Sequence, residues 1–263
     1  MKTGPKDKSN MLIDERRQHV LARIQSDGRV LVSELSESLG ISRITIRKDL
    51  DYLESKGLVQ RTHGGALSLQ SGALFDPSLK EKEQQQLKEK QRIAEAAMRF
   101  VKEGMCVLLD SGSTTTAIAR QLRHFSRLTV ITNAVNIAAE LTGTDFEVIL
   151  TGGTLRNNSF SLVGPLAEDV LTEMHADILF LGVDGFDIKL GLTTPNLMES
   201  RVNRAMVNAA TRVIAVCDST KFGRRSLALI APPKAIHTVI TDDQLSDADA
   251  DALIAMGIEV IRV

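Results

Sequence analysis

Aromatic side chains are scarce in this chain of 263 residues: they make up 3%, with no tryptophan and a single tyrosine, Tyr52. That scarcity argues against recognition by stacking, on the platforms that hold single-stranded nucleic acid or sugar rings, and leaves hydrogen bonding and charge. Cysteine is equally sparse. Cys106 and Cys217 each sit inside an apolar run without a Cys-x-x-Cys partner, which argues against a disulfide or metal framework and for two reduced core thiols. The five histidines, His19, His63, His124, His175 and His237, form no H-x-x-x-H or His/Cys cluster, so no metal is expected. No apolar stretch reaches the ~18 residues that span a bilayer, and the polar start MKTGPKDKSN lacks the apolar centre of a secretory signal. A cytoplasmic protein with no membrane partner is the expectation.

What the chain does contain is an ordinary globular composition, 43% hydrophobic and 25% charged, enough for a sizeable core. Its formal charge of −1 would exclude a basic nucleic-acid binder if the charge were evenly spread. It is not. Residues 1–67 carry 12 Lys and Arg against 9 Asp and Glu, or +3, while the remainder carries 20 against 24, or −4. A basic front quarter and an acidic body suggest two tasks.

After a polar tail over 1–10, three helical patterns follow. Val20, Leu21 and Ile24 share one face of the first; Val32, Leu35 and Leu39 share one face of VLVSELSESLG; Ile46, Leu50 and Leu53 share one face of SRITIRKDLDYLESKG, which Ser42 is placed to cap. Gly40-Ile41-Ser42 joins the last two with the spacing of a helix-turn-helix, whose second helix enters the major groove of duplex DNA. Its leading polar surface is Ser42, Arg43, Thr45, Arg47 and Lys48, with Ile44 and Ile46 available to pack. Arg pairs bidentately with guanine, and Ser or Thr reaches phosphates or base edges. The alternating segment LVQRTHGGAL then turns on Gly64-Gly65 and brings Arg61 and His63 to a wing suited to phosphate contact. These features place a winged DNA-binding domain over 11–67 and a linker over 68–80.

From residue 81 onward, apolar strand runs alternate with amphipathic helices, the pattern of an α/β domain with a mostly parallel sheet covered on both faces. The strands expected are 105–110, 128–132, 146–150, 178–183, 212–218, 236–241 and 258–263, with helices near 116–124, 134–141, 166–174, 196–210 and 247–256. Ligands in such sheets sit beyond the carboxyl ends of the strands. There the chain places Asp110, Ser111, Gly112, Ser113, Thr114 and Thr115 between a strand and a helix, a hydroxyl-rich helix start suited to an anion such as phosphate. Thr132, Asn133, Gly152, Gly153, Asp184 and Lys221 fall at neighbouring strand ends, and together they suggest a polyol phosphate site. No lysine follows Gly112 as in a P-loop and no G-x-G-x-x-G is present, so no nucleotide cofactor is expected.

In SRITIRKDL and QRTHGGAL the front of the chain resembles the winged helix-turn-helix of the DeoR family of bacterial transcriptional regulators. DSGSTTTAIA, TGGTLR, LFLGVDGF, ESRVNRAM and VCDSTKFGRRSL resemble that family's sensor domain. Within the family the chain is similar to the AgaR-like branch. The resemblance implies a repressor of a sugar-catabolic operon, working as a homo-oligomer on double-stranded operator DNA and answering to a phosphorylated sugar. It also implies a sensor domain folded like ribose-5-phosphate isomerase, in which Asp184, Asp187, Glu199 and Lys221 fall near positions used for isomerase chemistry. Binding without turnover is expected, because a simple isomerase has no use for a DNA-binding head; a sugar-phosphate isomerase with an appended interaction module is the alternative.

Overall fold

A computed structural model of the chain describes residues 13–27, 29–56, 58–62, 64–68, 73 and 75–263. The chain divides into two compact units, Met1–Phe75 and Asp76–Val263.

The first unit runs α1 (Ile13–Asp27), β1 (Arg29–Leu31), α2 (Val32–Leu39), α3 (Arg43–Ser55), β2 (Val59–Thr62) and β3 (Gly65–Ser68). Val20 and Ile24 of α1, Leu35 and Leu39 of α2, and Ile46 and Leu50 of α3 meet in one core, each 2% exposed or less. Gly40 ends α2 at φ +67°, a left-handed conformation that glycine adopts without a Cβ clash. Ser36 closes the turn, its hydroxyl donating to the Ile41 carbonyl at 2.6 Å. The strands form an antiparallel sheet ordered β1-β3-β2. At Gly65 an added Cβ would lie 1.8 Å from the Val30 carbonyl oxygen, so this crossing requires glycine. Residues 30–31 were expected to continue into the second helix; they pair with β3 instead, because a short Val-Leu run serves either period.

The second unit begins at Asp76 rather than at 81. Its first residues are tied in: the Leu79 amide donates to the Asn158 carbonyl at 2.8 Å, and the Asn158 side chain donates to the Asp76 carbonyl at 2.9 Å. Two helices, α4 (Leu79–Glu83) and α5 (Leu87–Ala97), lead into β4 (Cys106–Leu109), α6 (Ser113–Leu122), β5 (Thr129–Thr132), α7 (Val135–Glu140) and β6 (Glu147–Leu150). A hairpin follows, β7 (Thr154–Arg156) with β8 (Ser161–Val163), then α8 (Pro165–Thr172) and β9 (Ala176–Gly182). Next come β10 (Gly185–Asp187), β11 (Gly191–Thr194), α9 (Leu197–Asn208), β12 (Ala210–Val216), β13 (Ala228–Ala231), β14 (Thr238–Thr241), α10 (Asp247–Ala255) and β15 (Glu259–Arg262).

Seven of these strands form one sheet ordered β15-β14-β12-β9-β4-β5-β6, and every pairing in it is parallel. They are the seven runs expected from the sequence. Successive residues face opposite sides: Val107 and Leu109 pack against α5 and α6, Leu108 against the layer holding α8 and α9. Strand order departs in opposite directions from β4 and β9, so the chain leaves their carboxyl ends to opposite sides and opens a crevice between them. A small antiparallel sheet, β10-β11-β13, and the β7–β8 hairpin were not expected, being three- and four-residue strands without a long apolar period.

Candidate functional site

In the first unit, Ser42 caps α3 by accepting from the Thr45 amide at 3.2 Å, and its hydroxyl meets that of Thr45 at 2.9 Å. Arg43, Arg47 and Lys48 stand exposed along the same helix. Ile46 is buried as expected, but Ile44 is 67% exposed and joins the polar leading surface instead of packing. Buried Asp49 fixes the helix against α1, accepting from Arg16 at 2.5 Å and Arg17 at 3.2 Å. Arg61 does not reach outward: it pairs with Asp51 at 2.8 Å and donates to the Gly65 carbonyl, which braces the wing. His63 lies outside the described residues.

In the second unit a cavity of about 50 Å³ opens at the crevice between β4 and β9. Asp110, Ser111, Gly112, Ser113 and Thr114 line it from the start of α6, with Asp184, Glu199 and Lys221 opposite, so eight of the expected residues converge. Thr115 is buried behind them, its hydroxyl donating to the Gly112 carbonyl at 3.0 Å. Thr132, Asn133, Gly152 and Gly153 do not line it. The Thr132 hydroxyl accepts from the nearby Ala134 amide, and the Asn133 carbonyl accepts from the Leu162 amide at 2.7 Å, so Asn133 anchors the β7–β8 hairpin. Asp187 is likewise drawn away, to Arg225 at 2.6 Å.

Several cavity residues escaped the sequence reading. Lys82 and Lys90 come from the Lys-, Glu- and Gln-rich stretch, Ser159 from the unexpected hairpin, and Thr194 and Asn203 from β11 and α9. Lys82 and Lys90 lie eight residues apart on two consecutive helices; the one available signal was the apolar face that Ile93 and Ala97 give to α5, which already turns Lys90 toward the sheet.

The cavity is electrostatically dense. Burial pushes the Asp110 carboxyl up to about 7, although it accepts the Gly182 amide at 3.0 Å. Burial also raises Asp184, but Lys82 at 2.5 Å, Lys221 and the Thr194 hydroxyl outweigh it and hold that carboxyl below its ordinary value. Burial lowers Lys90 to about 8, opposed by Asp218. Glu199 is clamped: its Oε1 accepts from Arg156 at 3.1 Å, Ser161 at 2.9 Å and Ser159, while Arg156 also holds Asp76. Three ammonium groups and a helix start therefore face three carboxylates, an arrangement fitted to a small molecule that is anionic at one end and rich in hydroxyls at the other.

Two family profiles match this architecture: a DeoR-like helix-turn-helix domain over residues 16–72 and the DeoR C-terminal sensor domain over 85–243. The chain belongs to the DeoR family. A relative from Escherichia coli O157:H7, named for repression of the aga operon, is 40% identical across 95% of this chain and 93% of its own length, in keeping with the AgaR-like branch. The transcriptional regulator GlpR of Haloferax volcanii is also 40% identical, across 95% and 98%. The glycerol-3-phosphate regulon repressor of Escherichia coli K12 is 31% identical across 87% and 90%. Among solved structures, ribose-5-phosphate isomerase from Methanocaldococcus jannaschii aligns over 51% of this chain and 53% of its own, with a TM-score of 0.38 and 18% identity. The DeoR helix-turn-helix is thus α2 and α3, and the DeoR sensor domain is the parallel α/β unit with its crevice. No helix among the described residues is long and apolar enough to cross a membrane.

Proposed function

We propose that this DeoR-family regulator represses a sugar-catabolic operon and leaves its operator when a phosphorylated sugar occupies the crevice. The observation that carries the reading is the convergence of Lys82, Lys90, Lys221 and the first turn of α6 with Asp110, Asp184 and Glu199 in one cavity. Lysines and free helix amides suit a phosphate; carboxylates accept hydrogen bonds from hydroxyls. The names of the relatives, which include repressors of the aga and glycerol-3-phosphate systems, support it.

On the DNA side, Ser42, Arg43, Thr45, Arg47 and Lys48 of α3 supply groove and phosphate contacts, and Ile44 supplies an apolar surface for a thymine methyl. One head offers few base contacts, so a homo-oligomer on repeated half-sites completes the reading. The ligand acts only as far as it prefers one arrangement of subunits over the other.

Binding without turnover is supported by the DeoR-like helix-turn-helix domain over residues 16–72, for which a simple isomerase has no use, and by relatives named as transcriptional repressors. The test is retention of the chain's own upstream DNA in preference to scrambled duplex of equal length, with affinity falling steeply as salt rises. Equal affinity for both duplexes contradicts regulation. Ketose–aldose conversion of pentose or hexose phosphates, abolished by Glu199→Gln, would establish the isomerase alternative.

A further inference from the structure

Asn203 stands one turn beyond Glu199 on α9, so the two side chains leave the same face of the helix. It is 6% exposed and lines the cavity, yet its Oδ1 is buried and accepts no hydrogen bond. A buried amide oxygen left without a donor costs about 1–3 kcal/mol, and folded proteins rarely leave one so. The neighbouring cavity groups are matched: Asp110 by the Gly182 amide, Asp184 by Lys82 and Thr194, Glu199 by Arg156, Ser159 and Ser161. Among the described residues, Asn203 is the one with an unmatched buried polar atom at the cavity.

The placement of the charged groups gives a bound ligand a direction. Lys82 is already ion-paired with Asp184 at 2.5 Å, whereas Lys90 and Ser113, at the start of α6, border one space beside the cavity and draw a phosphate. Glu199, one turn before Asn203 on α9, repels it. The uncharged, hydroxylated part of the molecule is left facing Glu199 and Asn203.

We infer that Asn203 selects the ligand, its side-chain amide hydrogen-bonding a hydroxyl of the phosphorylated sugar at the end remote from the phosphate. A hydroxyl both donates and accepts, so it satisfies the amide in either of its two orientations. Rotation about the last side-chain bond brings the oxygen to that group without displacing α9. The inference rests on the effector reading above and adds to it the residue that distinguishes a hydroxylated phosphate ester from a bare phosphate.

Calorimetry on the purified full chain tests it, with inorganic phosphate, glycerol 3-phosphate, ribose 5-phosphate and galactose 6-phosphate as probes. Asn203→Leu, which keeps the volume and removes the amide, is expected to weaken the tightest ester at least tenfold while changing affinity for inorganic phosphate less than twofold. Asn203→Asp, which keeps the acceptor, retains more of the ester affinity than Leu does. If the Leu variant does not fold, Asn203→Ala is read by the same criterion. An ester affinity changed less than threefold, or a loss equal for ester and inorganic phosphate, overturns the role of Asn203 and leaves the site standing. Wild-type protein that binds no ester more tightly than inorganic phosphate overturns both this inference and the effector reading.

Discussion

The ammonium of Lys82 lies 2.5 Å from the Oδ1 of Asp184, joining α4 to the residue just beyond the carboxyl end of β9. Both side chains are less than one-fifth exposed, so neither charge is well hydrated without the other. Lys82→Met removes the cation and strands the carboxylate. Unfolding stability is expected to fall by about 2 kcal/mol, below the range for a fully buried pair because water still reaches this one. The double variant Lys82→Met with Asp184→Asn recovers most of that loss, yet phosphosugar affinity measured by calorimetry stays at least tenfold weaker.

Lys90 gives binding a pH dependence. Its ammonium donates to the carbonyls of Lys82 and Gln85, and burial lowers it to about 8. Below pH 8 the group is charged and attracts phosphate; above, it is neutral and does not. Affinity for a phosphate ester therefore falls as pH rises from 7 to 9, by up to about tenfold per pH unit beyond 8. Lys90→Met flattens this fall.

Asp110 contributes a pH dependence to stability. Burial lifts its carboxyl to about 7 in the folded protein, so between the ordinary carboxylate range and pH 7 the folded state holds a proton that the unfolded chain has released. Its contribution is complete at low pH and is lost as pH rises toward 7. Asp110→Asn keeps an acceptor for the Gly182 amide without the charge. Thermal melts are expected to show its advantage over wild type growing from pH 4 to 7 and levelling above.

Much of this was legible in the sequence, for definite physical reasons. The five inner strands of the parallel sheet are largely buried and so read as apolar runs, whereas the edge strands Glu147–Leu150 and Glu259–Arg262 have exposed ends and show only a short Val-Ile centre. Ser42 and Gly40 announce the helix boundaries through capping chemistry. The half-site at Asp110–Thr114 was legible because a strand, a glycine and a hydroxyl-rich helix start lie next to one another in the chain. Lys82 and Lys90 were not, because a Lys-Glu-Gln-rich stretch reads as solvated surface until the fold turns its inner face over the crevice. Thr132 and Asn133 misled for the opposite reason: they stand at a strand end like their neighbours, but both are fully buried outside the cavity, Thr132 accepting from the Ala134 and Thr151 amides and Asn133 bonded to Leu162 of the hairpin. Arg61 misled similarly, since nothing local to QRTHGG indicates that Asp51, ten residues earlier, claims its guanidinium.

On α3, Arg47 and Ile44 make separable predictions. Arg47→Ala costs about 1–3 kcal/mol and relaxes preference at one base pair if its contact is a bidentate one to guanine. Uniform weakening on all sequences with a shallower salt dependence assigns Arg47 to phosphate instead. Ile44→Ser reduces discrimination for thymine at one position and leaves the salt dependence unchanged, because it removes an apolar contact and no charge. Binding isotherms on single-substitution duplexes at two salt concentrations read both.

Whether occupation of the crevice controls DNA binding is tested most directly by one fluorescence anisotropy experiment. A labelled duplex from the chain's own upstream region is bound to wild type and to Ser113→Asp, which sets a negative charge at the start of α6, the proposed phosphate position, and phosphorylated sugars are added to each. The account predicts that at least one sugar phosphate releases the duplex from wild type and that the same compound leaves Ser113→Asp bound. Equal release from both proteins, or release from neither by any sugar phosphate, would contradict it.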